Sequence, residues 1–327
     1  MALSAQFIAE HIASSEARLT AGYYNYRAQW PSRLFHHAPL ENIARILRSG
    51  TLLSRNDSND VRAVDVADAT VLANRSRAHA FCRFYFRPRT PTQFHIEGIR
   101  KPTEYYNGET HSPTLGMLIF DATGVLLSQD VRFSDGNMQS NGTRDGDDEE
   151  FFQGIDFQKV YHEGGIAGDF SIITARCAEV LAASPLHIED KLQAIICRSH
   201  AERAFLIDLL EGEAEGWHPR IRVSDDLRVF EKKYTFVERV SLDQAGLLFA
   251  MSPRPDGADV TVQVRVEAAD GRVPVAFGPA PLKPFPPHAQ QLWRIQGRLD
   301  PGYYRAQIWL ENCLAFSGTL VQDDLPF

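Results

Sequence analysis

Apolar positions along the chain change their period near residue 234. Before that point helical and strand spacings alternate; after it only short strand-like runs appear. Phe7, Ile8, His11, Ile12 and Leu19 predict an N-terminal helix, and the aromatic stretch Tyr23, Tyr24, Tyr26 and Trp30 reads as a cap on the unit that follows. Residues 33–36 predict a strand and 41–48 a helix, with Ile43, Ile46 and Leu47 on one face and Gly50 placed for a left-handed C-terminal turn. Residues 80–87 predict a strand ended by Pro88 and Pro91, and residues 115–120, 124–127, 192–197 and 218–223 predict further strands. Ser199 followed by Glu202 is a capping box opening a helix through Phe205, Leu206, Leu209 and Leu210. A short element across 172–182 carries Glu179. The run Asp145, Asp147, Asp148, Glu149 and Glu150 reads as a solvated loop.

Beyond Lys233, strand-like runs at 235–240, 247–251, 260–266, 273–277, 291–296, 303–310 and 315–321 are separated by Gly, Pro and Asp clusters. That spacing predicts a β-sandwich of immunoglobulin type. The expected organisation is an extension over 1–30, an α+β unit over 31–233 and an all-β unit over 234–327.

Composition narrows the function. A chain of 327 residues with 44% hydrophobic residues can bury a sizeable core. The formal charge of −8 argues against a protein that coats nucleic acid indiscriminately. Between Arg75 and Lys101, however, seven basic residues face one acid, Glu97, so a local basic groove is possible. Four scattered cysteines show no metal-binding spacing. With no signal-peptide pattern and no membrane-length apolar run, a cytoplasmic location is expected. Neither GxGxxG nor a Walker pattern is present, which excludes Rossmann-type cofactor binding.

Three segments carry a resemblance. The first is Leu34-Phe35-His36-His37, followed by Ile43, Ile46-Leu47, Gly50 and Leu52-Leu53-Ser54-Arg55-Asn56. The second is Phe84-Tyr85-Phe86-Arg87-Pro88-Arg89-Thr90-Pro91. The third is Phe133-Ser134-Asp135-Gly136-Asn137, then Ile155-Asp156-Phe157, then Arg176-Cys177-Ala178-Glu179-Val180-Leu181. Together they resemble the DarT family of NAD-dependent toxins that modify nucleic-acid bases. Departures fall at Thr92-Gln93-Phe94, Phe157 and Cys177, where the family usually has Met-Leu-Tyr, Trp and Gln.

The resemblance implies a transferase fold with two packed sheets forming a cleft for NAD, used as co-substrate without a metal. It assigns Glu179 to stabilising the positive charge that develops on the ribose as nicotinamide leaves, and to accepting the proton of the attacking base nitrogen. Arg89, with Arg87 assisting, is expected at the pyrophosphate, which an arginine fork suits. His36 or His37 is expected to donate to a ribose hydroxyl, with Asn56 a further cofactor contact and Tyr85 stacking on nicotinamide. Arg75, Arg77, Arg83 and Arg100 are expected along a nucleic-acid backbone, with Asp135 or Asn137 reading a base edge. The implied acceptor is single-stranded DNA or RNA, and the implied partner a macrodomain antitoxin or a chaperone bound through the sandwich. A catalytically silent binding module and a protein-directed transferase are the alternatives.

Overall fold

The computed structural model describes residues 3–64, 78–105, 111–138, 140, 142–254, 256–285 and 291–323. Ten short strands precede residue 224: β1 (Arg33–Pro39), β2 (Thr51–Leu52), β3 (Phe81–Tyr85), β4 (Leu115–Asp121), β5 (Arg132–Ser134), β6 (Asp145–Gly146), β7 (Glu179–Ala183), β8 (Leu186–His187), β9 (Leu192–Cys197) and β10 (Ile221–Val223). Eight of them form one sheet in the order β10-β9-β4-β1-β3-β7-β5-β6, while β2 and β8 pair as a separate ribbon.

Instead of two independent sheets there are two wings of one sheet. The strand β1 pairs with β4 at seven consecutive positions from Arg33↔Asp121 to Pro39↔Leu115, but with β3 only at Phe35↔Tyr85. Past that point the backbones diverge, and the His36 ring bridges the gap by donating from Nδ1 to the Arg83 carbonyl at 2.8 Å. A side chain thus takes over a ladder hydrogen bond, and the split becomes a wedge-shaped opening.

Helices cover the sheet. Leu40–Ser49 buries Leu40, Ile43, Ala44 and Leu47, and Gly50 ends it at φ 64, as its position predicts. His200–Leu209 starts on Ser199, whose Oγ accepts from the Glu202 amide at 3.1 Å. Glu202 returns its bond to the Arg198 amide at 3.1 Å, one residue earlier than in a standard capping box, because its carboxylate is also paired with the buried Arg198 guanidinium. Two expectations fail for local reasons. Residues 124–127 fall largely in a helix, Ala122–Leu126, because Asp121 caps it by accepting from the Gly124 amide at 2.6 Å. The acidic run is not a loose loop: Asp145 and Asp147 each hold Arg132 at 2.7 Å, and Asp148 caps the helix Glu149–Gln153.

The N-terminal helix Ala5–Thr20 leads into a 3-10 turn, Asn25–Gln29. Trp30 is fully buried and donates from Nε1 to the Leu227 carbonyl at 3.1 Å, so the extension is anchored on the body.

After residue 236 come β11 (Val237–Asp243), β12 (Gly246–Met251), β13 (Val260–Ala268), β14 (Val275–Leu282), β15 (Trp293–Gln296), β16 (Gly302–Leu310) and β17 (Cys313–Gln322). They form two antiparallel sheets, β11-β12-β15 and β14-β13-β16-β17. Val260, Val262, Val264 and Val266 alternate inward against Tyr304, Ala306, Ile308 and Leu310. Tyr304 donates from its hydroxyl to the Asp300 carbonyl at 2.8 Å, a corner bond that immunoglobulin-type sandwiches also use. The strand β17 is buried continuously from Ala315 to Gly318 because its outer side meets the helix His200–Leu209. There Asp208 accepts from the Thr319 amide at 3.0 Å and pairs with Arg305 at 2.6 Å. The all-β unit therefore shares a continuous hydrophobic core with the rest of the chain.

Candidate active site

Strand alternation decides what faces the opening. On β3, Cys82, Phe84 and the following Phe86 point into the core, which leaves Phe81, Arg83 and Tyr85 on the other face. These three line a cavity of about 760 Å³ in the divergence between β1 and β3, a size suited to a small-molecule ligand. His36 and His37 form its opposite side, and Asn137, Thr174 and Cys177 also line it.

Glu179 is the first residue of β7, paired with Tyr85 in register. It is 0% exposed, and its carboxylate is held in a two-point pair with Arg83: Nε to Oε2 at 2.6 Å and Nη2 to Oε1 at 2.6 Å. The Arg83 side chain is 24% exposed and lines the cavity, whereas Glu179 lies behind it. Burial opposes the Arg83 charge, but Glu179 more than offsets it and raises the guanidinium pKa. The loop after β5 encloses the same carboxylate. The Met138 amide donates to Oε1 at 3.4 Å, and Ser134 Oγ accepts from the Glu179 amide at 3.1 Å. Gly136 permits this approach, since a Cβ there would stand 2.6 Å from Thr174 Cγ2.

The histidines are tuned by burial. His36 is lowered from its ordinary value by desolvation, and His37 is lowered to about 3 by desolvation, then by its histidine neighbour and Arg83. Both are neutral at pH 7. Since Nδ1 of His36 donates to a carbonyl, its Nε2 is the acceptor of the neutral ring, and it would accept from a ribose hydroxyl rather than donate to one. His37 stacks on Tyr85 with centroids 5.4 Å apart and planes at 6°.

Further cationic side chains line the cavity, and of these the sequence had placed only Arg55 in a motif, without a role of its own. Arg45, Arg55 and Arg62 line it together with Ser49, Thr51 and Ser58. Arg62 is oriented by the Arg55 carbonyl at 2.7 Å and by Ser58 Oγ at 2.8 Å. Arg55 stands inside the Leu52-Leu53-Ser54-Arg55-Asn56 run, so the signal was present. Asn56 itself is exposed and outside the lining.

Other expected residues go elsewhere. Arg87 and Arg89 do not line the cavity; both pair with Glu163, and Arg89 also donates to the Tyr26 hydroxyl at 2.8 Å. The backbone at Arg89 is left-handed, φ 53. Arg83 is tied to Glu179 instead of lying along a backbone track. Arg100 is buried over the Tyr234 ring at 4.4 Å. Asp135 is paired with Arg144 at 3.0 Å, while Asn137 reaches the cavity. Arg75 and Arg77 lie outside the described residues. Among the described residues no cluster of ligating side chains could hold a metal, and no helix is long and apolar enough to cross a membrane.

The buried histidines make stability depend on pH. His37 (to about 3), His11 (to about 4) and His111 (to about 4) are all lowered chiefly by desolvation from 6.5. An unfolded chain therefore binds more protons below pH 6.5, so their contribution is complete above that value and is lost as pH falls. Each costs at most about 1.4 kcal/mol per pH unit, less where the ring is partly exposed. Thermal melts should show a Tm that declines steadily from pH 6.5 to 4.5; a Tm constant over that window contradicts the assignment.

A family model described as ssDNA thymidine ADP-ribosyltransferase, DarT, matches residues 35–230. Among solved structures, Thermus sp. 2.9 DarT in complex with ADP-ribosylated ssDNA is 21% identical, with 60% of this chain and 96% of that one covered at a TM-score of 0.50. The same protein in complex with NAD+ is 20% identical, with 60% and 97% covered at a TM-score of 0.48. Thermosipho africanus DarTG in complex with ADP-ribose is 17% identical, with 64% and 53% covered at a TM-score of 0.46. No curated protein matches the chain.

Proposed function

From the premise that the chain belongs to the DarT family of ssDNA thymidine ADP-ribosyltransferases, we propose that it binds NAD in the cavity between β1 and β3 and transfers ADP-ribose to a base of single-stranded DNA. The observation that carries this reading is the pairing of Glu179 with Arg83 at the edge of a cavity large enough for a dinucleotide. Arg45, Arg55 and Arg62 would hold the pyrophosphate, His36 Nε2 would accept from a ribose hydroxyl, and the nicotinamide end would lie toward Tyr85 and Arg83. Breaking the ribose–nicotinamide bond sends its electron pair to the departing ring nitrogen. The ribose carbon gains positive charge, which Glu179 stabilises; a base nitrogen attacks that carbon, and its proton passes to a carboxylate or to water. Arg87 and Arg89 then serve to hold Glu163 rather than the cofactor.

The chain would act in the cytoplasm as a toxin of a toxin–antitoxin or phage-defence pair, restrained by a macrodomain antitoxin. Family membership supports that reading, and it supports thymidine in DNA over an RNA target. The test is incubation of the protein with NAD and panels of DNA and RNA oligonucleotides, followed by mass spectrometry. Addition of one ADP-ribose to thymidine-containing single strands is the expected outcome. An adduct on RNA alone would move the acceptor, and NAD consumption without any oligonucleotide adduct would point to protein modification.

A further inference from the structure

The extension before β1 lies outside the family match, yet it carries the most exposed aromatic surface among the described residues. Tyr23 is 92% exposed. Tyr23, Tyr24, Tyr26 and Trp30 form an edge-to-face chain, with successive centroids 4.9, 6.3 and 5.8 Å apart. Arginines interleave with them: Arg27 lies 5.6 Å from the Tyr24 ring, Arg89 and Arg228 lie 5.8 and 4.3 Å from Tyr26, and Arg87 lies 5.0 Å from Trp30. The charges do not balance. Arg27, Arg87, Arg89 and Arg176 all bear on one carboxylate, Glu163, with Glu231 the other acid near them and Arg228 exposed beside Tyr26. Arg89 Nε is buried without a hydrogen-bond partner.

This surface runs to the cavity. Arg176 lies between Thr174 and Cys177, both of which line the opening, and it donates to the His162 carbonyl at 3.1 Å and the Gly164 carbonyl at 2.8 Å. Gly164 packs against the Tyr24 hydroxyl, and a Cβ there would approach it to 3.3 Å. Phe170, three residues before Ile173 of the cavity lining, is 72% exposed.

We propose that this aromatic and arginine surface is a platform for the single-stranded acceptor, holding the strand beside the cavity; the inference rests on the proposed DNA acceptor. Tyr23, exposed, and Tyr24, partly exposed, offer stacking faces to bases whatever their sequence, with Tyr26 and the buried Trp30 supporting them from behind, and the exposed Arg228 with the half-buried Arg27, Arg89 and Arg176 attracts the phosphates. A protein partner is the weaker occupant, because exposed tyrosine faces beside guanidiniums that outnumber the neighbouring carboxylates suit bases and phosphates. The platform is invisible to the overall charge of −8 because it is local.

The test is fluorescence anisotropy with a labelled 20-nucleotide single strand, on the wild-type chain, Tyr23→Ala, the double variant Tyr23→Ala/Tyr24→Ala, and Arg228→Ala. Stacking contributions of this kind predict a Kd raised about tenfold in the double variant. Tyr23→Ala should show part of that rise, and its exposure leaves no packing to lose. Arg228→Ala should reduce the slope of log K against log salt by about 0.7. In transfer assays KM for the 20-mer should rise while kcat at saturating strand holds. Binding within twofold of wild type in the tyrosine variants overturns the platform. Because anisotropy needs no turnover, strand binding that depends on the tyrosines but gives no adduct would sustain the platform and remove the proposed reaction. Adduct formation with unaltered variants would do the reverse.

Discussion

Glu179→Gln is expected to lower ADP-ribosyl transfer about a thousandfold, the scale on which a preorganised electrostatic group acts in a dry site. Glutamine keeps the shape of the side chain and one acceptor oxygen. It cannot supply the negative charge that answers the positive charge on the ribose carbon. The fold should persist. Arg83 would lose its counter-charge, but 24% of its side chain is exposed to the cavity, so the cost should be well below that of a fully buried pair, about 1–2 kcal/mol. Initial rates of nicotinamide release and of adduct formation, set beside a calorimetric NAD-binding isotherm, separate loss of chemistry from loss of binding. A variant that retains a tenth of the wild-type rate while binding NAD normally would take the ribose-stabilising role away from Glu179.

What the sequence made legible follows the range of the interactions concerned. The strand β3 announced itself through Phe81–Tyr85 and its proline stop, and the seven strands from β11 to β17 through alternation, because period and turn residues are local signals. Gly50 revealed its left-handed turn for the same reason. The helix over Ala122–Leu126 was missed because its decisive bond is one Asp121 cap on an apolar run short enough to be either element. Glu179 was found through its motif, but its environment depends on three segments distant in sequence: β3, β7 and the loop carrying Met138. Position within Phe84-Tyr85-Phe86-Arg87-Pro88-Arg89 suggested a cavity arginine. The pairing of Arg89 with the remote Glu163 decided otherwise, and it cannot be read from local pattern. Arg55 stood in a motif without a role of its own and Arg45 and Arg62 went unremarked, because surface arginines are common; only the packing of the helix Leu40–Ser49, which carries Arg45, and of the segment after it against the opening distinguishes them.

Arg83→Ala should produce the second large effect, and which kinetic constant it changes is the informative part. With the guanidinium gone, the Glu179 carboxylate loses the two-point fork that fixes it and keeps the Met138 amide at 3.4 Å as a donor. A carboxylate no longer held in place is poorly aimed at the ribose carbon, so kcat at saturating NAD and strand should fall about ten- to a hundredfold. Arg83→Lys keeps a positive charge but replaces a two-point fork by a single ammonium, so it should be intermediate in rate. These signatures separate Arg83 as a positioning residue for Glu179 from Arg83 as a contact to the acceptor strand. In the second role the alanine variant would raise KM for the oligonucleotide and leave kcat where it is. A variant faster than wild type would mean that the pair seen here obstructs the carboxylate and must open before NAD can react. Steady-state rates of the wild-type, Ala and Lys chains over a range of NAD and strand concentrations therefore decide whether the Arg83–Glu179 pair is the working arrangement of the site.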